Sequence, residues 1–235
     1  MATIYLIRHG QASFGAENYD ELSDLGRRQA HVTGEYLRDC GIHLDAAYSG
    51  DLSRQRETCE LALASQPNAV PHHIDARFNE IQNDEQIEHL LPEVVKINPA
   101  IEALVAKGLT DSKDYQKVID AVFNYWVSDA CDEPAIQSWA DYSGGARQAL
   151  KDVMNAQGSG KTIGIFTSGG TLATLTAQVL GLPGEGTYQL YEPVVNCSIT
   201  QLFYNSSKVS LSYYNDSSFL RVLGQQRGES LVTYR

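Results

Sequence analysis

The sequence predicts an α/β fold in which a mostly parallel sheet is flanked by helices. The chain starts with two units that run strand, loop, helix, and a similar unit returns near residue 162. This order favours parallel strands, because each helix carries the chain back to start the next strand. Residues 84–136, between these units, are predicted to be an acidic helical insertion in a single domain, residues 1–235.

The first two units are defined by apolar runs and helix signals. Residues 3–7 form an apolar run of strand type, and Ser23 is an N-cap candidate for a helix that ends near Gly41. A second strand is predicted around residues 46–49, and a second helix follows over 52–64. The loops after both strands are therefore expected at the same edge of the sheet.

The predicted insertion carries most of the negative charge of the chain. Residues 84–136 contain 11 acidic and 4 basic side chains, so −7 of the total −11 lies here. A helix is predicted from Pro99 to Gly108, because Pro suits the first helical position and Gly suits the end. Apolar and aromatic residues at helical spacing over 115–127 are typical of core packing rather than of a ligand site.

The last third of the chain again alternates between helix and strand. The pattern predicts a helix over 138–156, a strand over 162–167, a turn at 168–171 and a helix over 172–180. Two further strands, 197–204 and 209–214, are expected to form a hairpin at the sheet edge.

Composition excludes several classes of function. The chain has 18 Lys and Arg against 29 Asp and Glu, and so acidic a protein repels nucleic acid and anionic membranes. The four cysteines are scattered and no Cys or His cluster has zinc spacing, so we expect reduced thiols, no metal and no cofactor. The N-terminal segment has no signal-peptide pattern, so we expect a cytoplasmic protein.

Two loops carry residues suited to phosphate chemistry. Arg8 offers a planar fork of donors to phosphate oxygens, and the adjacent His9 can attack phosphorus to form a phosphohistidine. Gly10 allows the backbone to approach a ligand closely. Arg54 stands at the start of the second helix, where backbone N–H groups also favour an anion.

These motifs resemble the histidine phosphatase superfamily, the phosphoglycerate-mutase-like proteins. The matching segments are Arg8-His-Gly10, Leu22-Ser23 with Gly26 and Gln29-Ala30, Ser49-Gly-Asp-Leu-Ser-Arg54 with Thr58, Arg77-Phe-Asn-Glu80-Ile81, and Ser138-Trp139. The resemblance covers residues 1–82 and roughly 138–205. It implies a phosphoglycerate-mutase-like three-layer core with a helical insertion.

The resemblance also implies catalytic roles. His9 would be the nucleophile, Arg8 and Arg54 the phosphate clamp, and Glu80 the general acid that protonates the leaving oxygen. Physical chemistry agrees, since two cations offset phosphoryl charge and a carboxyl among apolar neighbours retains its proton. The alternative for Glu80 is a surface carboxylate at the end of a loop.

The chain departs from the family pattern at residue 169, where the family usually has a histidine and this chain has Gly169. Either catalysis is weakened or another group supplies the missing donor. We expect the backbone N–H groups of Gly169 and Gly170, at a helix N-terminus, to form part of the anion site.

The function implied is hydrolysis of a small phosphorylated substrate through a phosphohistidine. One alternative is a catalytically impaired relative that binds a phosphorylated ligand or partner, which Gly169 favours. A phosphoglycerate-type mutase is disfavoured, because residues 11–19 lack the mutase motif and no Arg occurs between Arg77 and Arg147. We expect the acidic insertion to lie over the mouth of the site and to select a neutral or cationic substrate remainder.

Overall fold

The computed structural model describes residues 2–13, 20–109 and 112–234. Residues 14–19, part of the loop whose sequence argues against a mutase, lie outside the described residues, as do residues 110 and 111 of the insertion. The strands are β1 (Ala2–Arg8), β2 (Ala46–Ser49), β3 (His72–Ile74), β4 (Thr162–Thr167), β5 (Ile199–Tyr204) and β6 (Val209–Asp216). The helices are α1 (Asp24–Asp39), α2 (Ser53–Leu63), α3 (Asn83–Ile97), α4 (Pro99–Lys107), α5 (Ser112–Trp126), α6 (Trp139–Gln157), α7 (Gly169–Leu180), α8 (Thr187–Tyr191) and α9 (Ser218–Arg227).

The six described strands form one sheet in the order β3-β2-β4-β1-β5-β6. β1 pairs in parallel with β4, and β2 pairs in parallel with both β3 and β4. β5 runs antiparallel to β1, and β6 runs antiparallel to β5 at the edge. The predicted α/β fold with a mostly parallel sheet and an edge hairpin is therefore confirmed.

Alternate side chains of the central strands enter two cores, one on each face of the sheet. Ile4 and Leu6 of β1 pack with buried residues of α6 and α7. Tyr5 and Ile7 point to the opposite face and pack with α1, α2 and α9. Because side chains alternate along a strand, a run that is apolar at every position needs helices on both faces, and this gives three layers.

The helices of the insertion form a third core. α3, α4 and α5 pack together through Leu90, Val94, Ile101 and Val118, all of them buried. Phe123 and Trp126 of α5 make ring contacts with aromatic residues of α6, and Phe123 also contacts those of α8. The apolar pattern over 115–127 is thus core packing, as its spacing indicates.

Two predicted boundaries are wrong for local backbone reasons. The segment 168–171 is not a turn, because Ser168 is the N-cap and α7 begins at Gly169. A pair of glycines is typical of a loop. The first turn of a helix nevertheless tolerates glycine where packing fixes the backbone. β5 starts at Ile199 rather than at residue 197, because Cys197 has a left-handed φ of 58° that interrupts the strand.

The sequence pattern did not separate four of the observed elements. β3 has only three residues and α8 only five, so neither carries a measurable period. α3 contains Pro92, and a proline usually indicates the end of a helix. α9 follows the last strand of the sheet, and the sequence pattern predicts no helix there. No helix in the described part of the chain combines the length and apolar character needed to cross a membrane.

Candidate active site

The strand pairing places the three expected loops at one edge of the sheet. Arg8, the last residue of β1, lies opposite Thr167, the last residue of β4. Ser49, which ends β2, lies opposite Phe166. The loops that follow β1, β2 and β4 therefore start side by side, as expected for parallel strands that end together.

The His9 imidazole is buried and has a defined tautomer. Its Nδ1 lies 2.7 Å from the Gly10 carbonyl oxygen, and a carbonyl only accepts, so Nδ1 carries the proton. Nε2 then holds the lone pair and accepts a hydrogen bond of 3.2 Å from Arg54 Nε. Burial, followed by the charges of Arg54 and Arg8, lowers the pKa of His9 well below its usual value. The ring is therefore neutral, the form that a nucleophile at Nε2 requires.

Arg54 is fixed by a carboxylate that sequence analysis did not single out. Its Nη1 donates to Asp20 Oδ1 at 2.6 Å, and the Arg54 side chain is only 9% exposed. The second oxygen of Asp20 accepts from the Ser53 backbone N–H at 2.7 Å, at the start of α2. Asp20 therefore bonds to the two kinds of donor, guanidinium and helix N-terminus, that also bind phosphate.

Arg8 is held by main-chain carbonyl groups far away in sequence. Its Nη1 donates to the carbonyl oxygen of Val194 and, at 3.0 Å, to that of Tyr234. These acceptors fix the guanidinium at the end of β1 without adding a negative charge. The Arg8 charge lowers the pKa of His9 and opposes the rise in the pKa of Glu80, so both groups lie within its field.

Glu80 faces the site rather than the solvent. Its Oε1 accepts the backbone N–H groups of Gly170 at 2.9 Å and Ile81 at 3.0 Å. Burial raises the pKa of Glu80, and this effect exceeds the opposing effects of Arg54, Arg8 and the two N–H groups. The carboxyl therefore retains a proton to higher pH than a free glutamic acid. Glu80 is half-buried with Oε1 bound at the start of α7, and its role as the general acid stays a prediction.

The two glycines at the start of α7 serve different purposes. A Cβ on Gly170 would collide with Ile81 and lie 2.5 Å from Glu80 Oε1, so only glycine leaves room for this carboxyl. The Gly170 N–H donates to Glu80, and phosphate binding through it stays a prediction. A Cβ on Gly169 would lie 3.0 Å from Cε2 of the Tyr191 ring and 3.4 Å from Arg8 Nε.

The structure brings together all six residues that the sequence indicated. Hydrogen bonds and electrostatic effects link five of them, and the sixth, Gly169, adjoins Arg8. The five are His9, Arg8, Arg54, Glu80 and Gly170. Asp20 and Tyr191 were missed. Asp20 lies in a polar loop with no regular pattern, and Tyr191 lies 22 residues after Gly169 on a short helix. Within the described ranges, no group of three or more His, Cys, Asp or Glu side chains is placed to hold a metal ion.

Comparison with known proteins agrees with this geometry. The model of the histidine phosphatase superfamily (branch 1) matches residues 4–103 and 101–217. A 2,3-bisphosphoglycerate-dependent phosphoglycerate mutase from Allorhizobium ampelinum is 39% identical over 67 residues, 26% of this chain and 32% of the relative. The chain spans about a third of the length of such curated relatives.

Solved structures extend the similarity to the whole fold. A phosphoserine phosphatase variant from Entamoeba histolytica, crystallised with phosphoserine, superposes with a TM-score of 0.65 at 19% identity. The superposition covers 94% of this chain and all of that chain. A phosphoglycerate mutase from Bacillus anthracis gives a TM-score of 0.66 at 20% identity, covering 93% and 94% of the two chains. At these identities the similarity establishes the fold and leaves the activity open.

Gly170→Ala is expected to damage the site while the fold survives. The added methyl group displaces Glu80, so hydrolysis of an alkyl phosphate should fall by about 10²-fold, the lower end of general-acid contributions. Overpacking should lower the free energy of unfolding by about 1–3 kcal/mol. Gly144→Ala is the matched control, because a Cβ there has no atom within 4 Å. Equal rates for the two variants would contradict this account of Gly170.

Asp20→Asn is expected to strengthen binding of inorganic phosphate. The amide oxygen still accepts from Arg54, the amide NH2 no longer accepts from the Ser53 N–H, and the negative charge that repels phosphate is removed. Calorimetry should give a dissociation constant about 3–10-fold lower than that of the wild type, a difference of about 1 kcal/mol. Asp24→Asn, at a side chain that is 93% exposed, makes the same change in net charge and serves as control. If both variants bind phosphate equally, Asp20 does not compete for the anion site.

Proposed function

The chain belongs to the histidine phosphatase superfamily, and we propose that it hydrolyses small phosphomonoesters through a phosphohistidine at His9. The observation that carries this proposal is the His9 ring, which is neutral, has its lone pair on Nε2 and is bonded to Arg54. A neutral imidazole beside two guanidinium groups is suited to attack a phosphoryl group that those cations bind.

Substrate binding exposes the nucleophile. Phosphoryl oxygens that bind Arg54 take over the Nε–H group that donates to His9 Nε2. The Nε2 lone pair then faces the phosphorus atom, while Arg8 and Arg54 offset the charge on the phosphoryl oxygens. The Gly10 carbonyl keeps the proton on Nδ1 throughout and stabilises the positive charge that develops on the ring.

The first chemical step transfers the phosphoryl group to His9. A bond forms between Nε2 and phosphorus as the bond from phosphorus to the ester oxygen breaks. Because Glu80 Oε1 already accepts two N–H groups, the proton resides on Oε2 and passes from there to the leaving oxygen. An alcohol departs, and Glu80 is left as a carboxylate.

The second step returns the enzyme to its starting state. The Glu80 carboxylate takes a proton from a water molecule whose oxygen attacks phosphorus. The bond from phosphorus to Nε2 breaks, the electron pair returns to His9, and inorganic phosphate leaves. Glu80 is protonated again, so one carboxyl acts first as acid and then as base.

Several features support hydrolysis over the alternatives. A mutase must hold two phosphate groups, and the absence of Arg between Arg77 and Arg147 in the sequence argues against a second clamp. The acidic helices α3, α4 and α5 adjoin Glu80 through the Ile81 side chain, which supports a cap that selects small esters with neutral or cationic remainders. The four free cysteines support a reducing compartment such as the cytoplasm.

A second candidate, binding of a phosphorylated ligand without turnover, is favoured only by Gly169. The test is hydrolysis of p-nitrophenyl phosphate by the wild type, His9→Ala and His31→Ala, an exposed histidine of α1 that serves as control. We expect His9→Ala to lower kcat by at least about 10³-fold, as loss of a nucleophile does elsewhere, and His31→Ala to leave it unchanged. Labelled ester should give a phosphoprotein that is stable in base and labile in acid, as phosphohistidine is. A wild type that binds phosphate without hydrolysing any ester would support the second candidate.

The pH profile is expected to report both perturbed groups. Activity should fall at low pH as His9 gains a proton, and its lowered pKa moves that limb to more acidic pH. Activity on an alkyl phosphate should fall at high pH as Glu80 loses its proton, and its raised pKa moves that limb to more alkaline pH. The measurement is kcat/KM against pH for β-glycerophosphate.

Glu80→Gln separates these two limbs. It should abolish the alkaline limb and slow β-glycerophosphate hydrolysis by about 10²–10⁴-fold. The loss in kcat/KM on p-nitrophenyl phosphate should be much smaller, because kcat/KM reports the first step and p-nitrophenolate leaves without a proton; kcat falls on both esters, since the second step still needs Glu80 as the base. An equal loss in kcat/KM on both esters would show that Glu80 does not act as the acid.

A further inference from the structure

The Tyr191 ring occupies the space that a side chain at residue 169 would fill. Tyr191 ends α8, and its Cε2 and Cδ2 atoms lie 3.0 and 3.2 Å from the position of a Cβ on Gly169. Arg8 Nε lies 3.4 Å from that same point. The edge of a tyrosine ring therefore lies beside one arm of the predicted phosphate clamp, at the N-terminus of α7.

The Tyr191 hydroxyl has a proton available for donation. Its oxygen accepts a hydrogen bond of 2.9 Å from the Asn83 side-chain amide, the first residue of α3. Asn83 is the one hydrogen-bond partner that the described part of the structure gives to this hydroxyl. Burial, followed by the nearby Glu80, raises the pKa of Tyr191, so the proton stays on the oxygen at any working pH.

We propose that the Tyr191 hydroxyl donates a hydrogen bond to the phosphoryl group held by Arg8 and Arg54. Tyr191 is then a neutral third donor of the site, oriented by Asn83. This inference rests on the proposed function, since it assigns a role in the same reaction.

A neutral donor at this place has a specific chemical advantage. Tyr191 and Glu80 lie in each other's electrostatic field, and Arg54 and Arg8 already act to lower the pKa of Glu80. A further cation beside Glu80 would lower that pKa more and remove the proton that the leaving oxygen needs. A phenol hydroxyl stabilises the phosphoryl oxygens and leaves the acid protonated.

Side chains of α3, α5 and α8 hold this donor in place. The Tyr191 ring contacts Phe123 of α5 and Tyr188 of α8, with centroid distances of 6.3 and 5.9 Å. Asn83 fixes the hydroxyl end, and Gly169 leaves the near edge free of any side chain. Contacts with Phe123, Tyr188 and Asn83 restrict the Tyr191 side chain to one rotamer. The hydroxyl donor is therefore preorganised for the transition state.

Tyr191→Phe tests the proposal, because it removes the hydroxyl and keeps the ring that packs on Gly169. Tyr188→Phe is the matched control, since it removes a hydroxyl from the same helix that bonds to Gln116 instead. For each protein we would measure kcat and KM on p-nitrophenyl phosphate. We would also measure inhibition by inorganic phosphate and by orthovanadate. Orthovanadate adopts the five-coordinate geometry of the transition state.

We expect Tyr191→Phe to lower kcat by about 10²-fold, the effect of removing one transition-state donor. Orthovanadate inhibition should weaken more than phosphate inhibition, because a donor used in the transition state binds its mimic best. A purely structural role would instead lower the unfolding temperature and affect both inhibitors equally. Tyr188→Phe should match the wild type in rate and inhibition.

The measurements separate a missing role for Tyr191 from a missing hydrolytic activity of the protein. Wild-type rates and orthovanadate affinity in Tyr191→Phe would overturn the role of Tyr191 and leave hydrolysis through His9 intact. If the wild type hydrolyses no ester, calorimetry of orthovanadate binding still tests whether the Tyr191 hydroxyl is a donor. Weaker binding by Tyr191→Phe than by Tyr188→Phe supports the hydroxyl as a donor, and equal binding overturns it.

Discussion

Two guanidinium groups, those of Arg8 and Arg54, are held close to one buried imidazole, and the neighbouring structure compensates for their charge. Asp20 pairs with Arg54, and the carbonyl groups of Val194 and Tyr234 accept from Arg8. Without these acceptors, two like charges beside an apolar core would separate. Burial, followed by these two charges, lowers the pKa of His9 and keeps the ring neutral, so the same packing that holds the two cations also sets the protonation state of the imidazole.

The pKa of Glu80 is raised in the same site that lowers the pKa of His9. Burial raises its pKa, and Arg54 and Arg8 act to lower it. The absence of a side chain at Gly170 lets the carboxyl approach the start of α7, where the Gly170 N–H donates to it and also opposes the rise in pKa. A methyl group added at Gly170 would therefore displace this carboxyl, although the substituted residue itself carries no charge.

Local sequence signals predicted the part of the site that lies at element boundaries. The strand predicted over residues 3–7 stops one residue short of Arg8, which ends β1, and the helix predicted over 52–64 matches α2 to within one residue, so Arg8 and Arg54 lie close to where they were expected. Tyr191 and Asp20 reach the site from distant segments through tertiary contacts, for which a single sequence carries no pattern. The start of α7 was misjudged because glycine is common both in turns and where another chain segment packs closely.

The bond from Arg8 to the Tyr234 carbonyl joins the first strand to the last described residue. During synthesis β1 is made long before residue 234, so the Arg8 guanidinium lacks this acceptor until the chain has been translated past that residue. All six described strands have been made by then, because the last of them ends at Asp216. A nascent chain therefore carries His9 long before it carries this acceptor for Arg8.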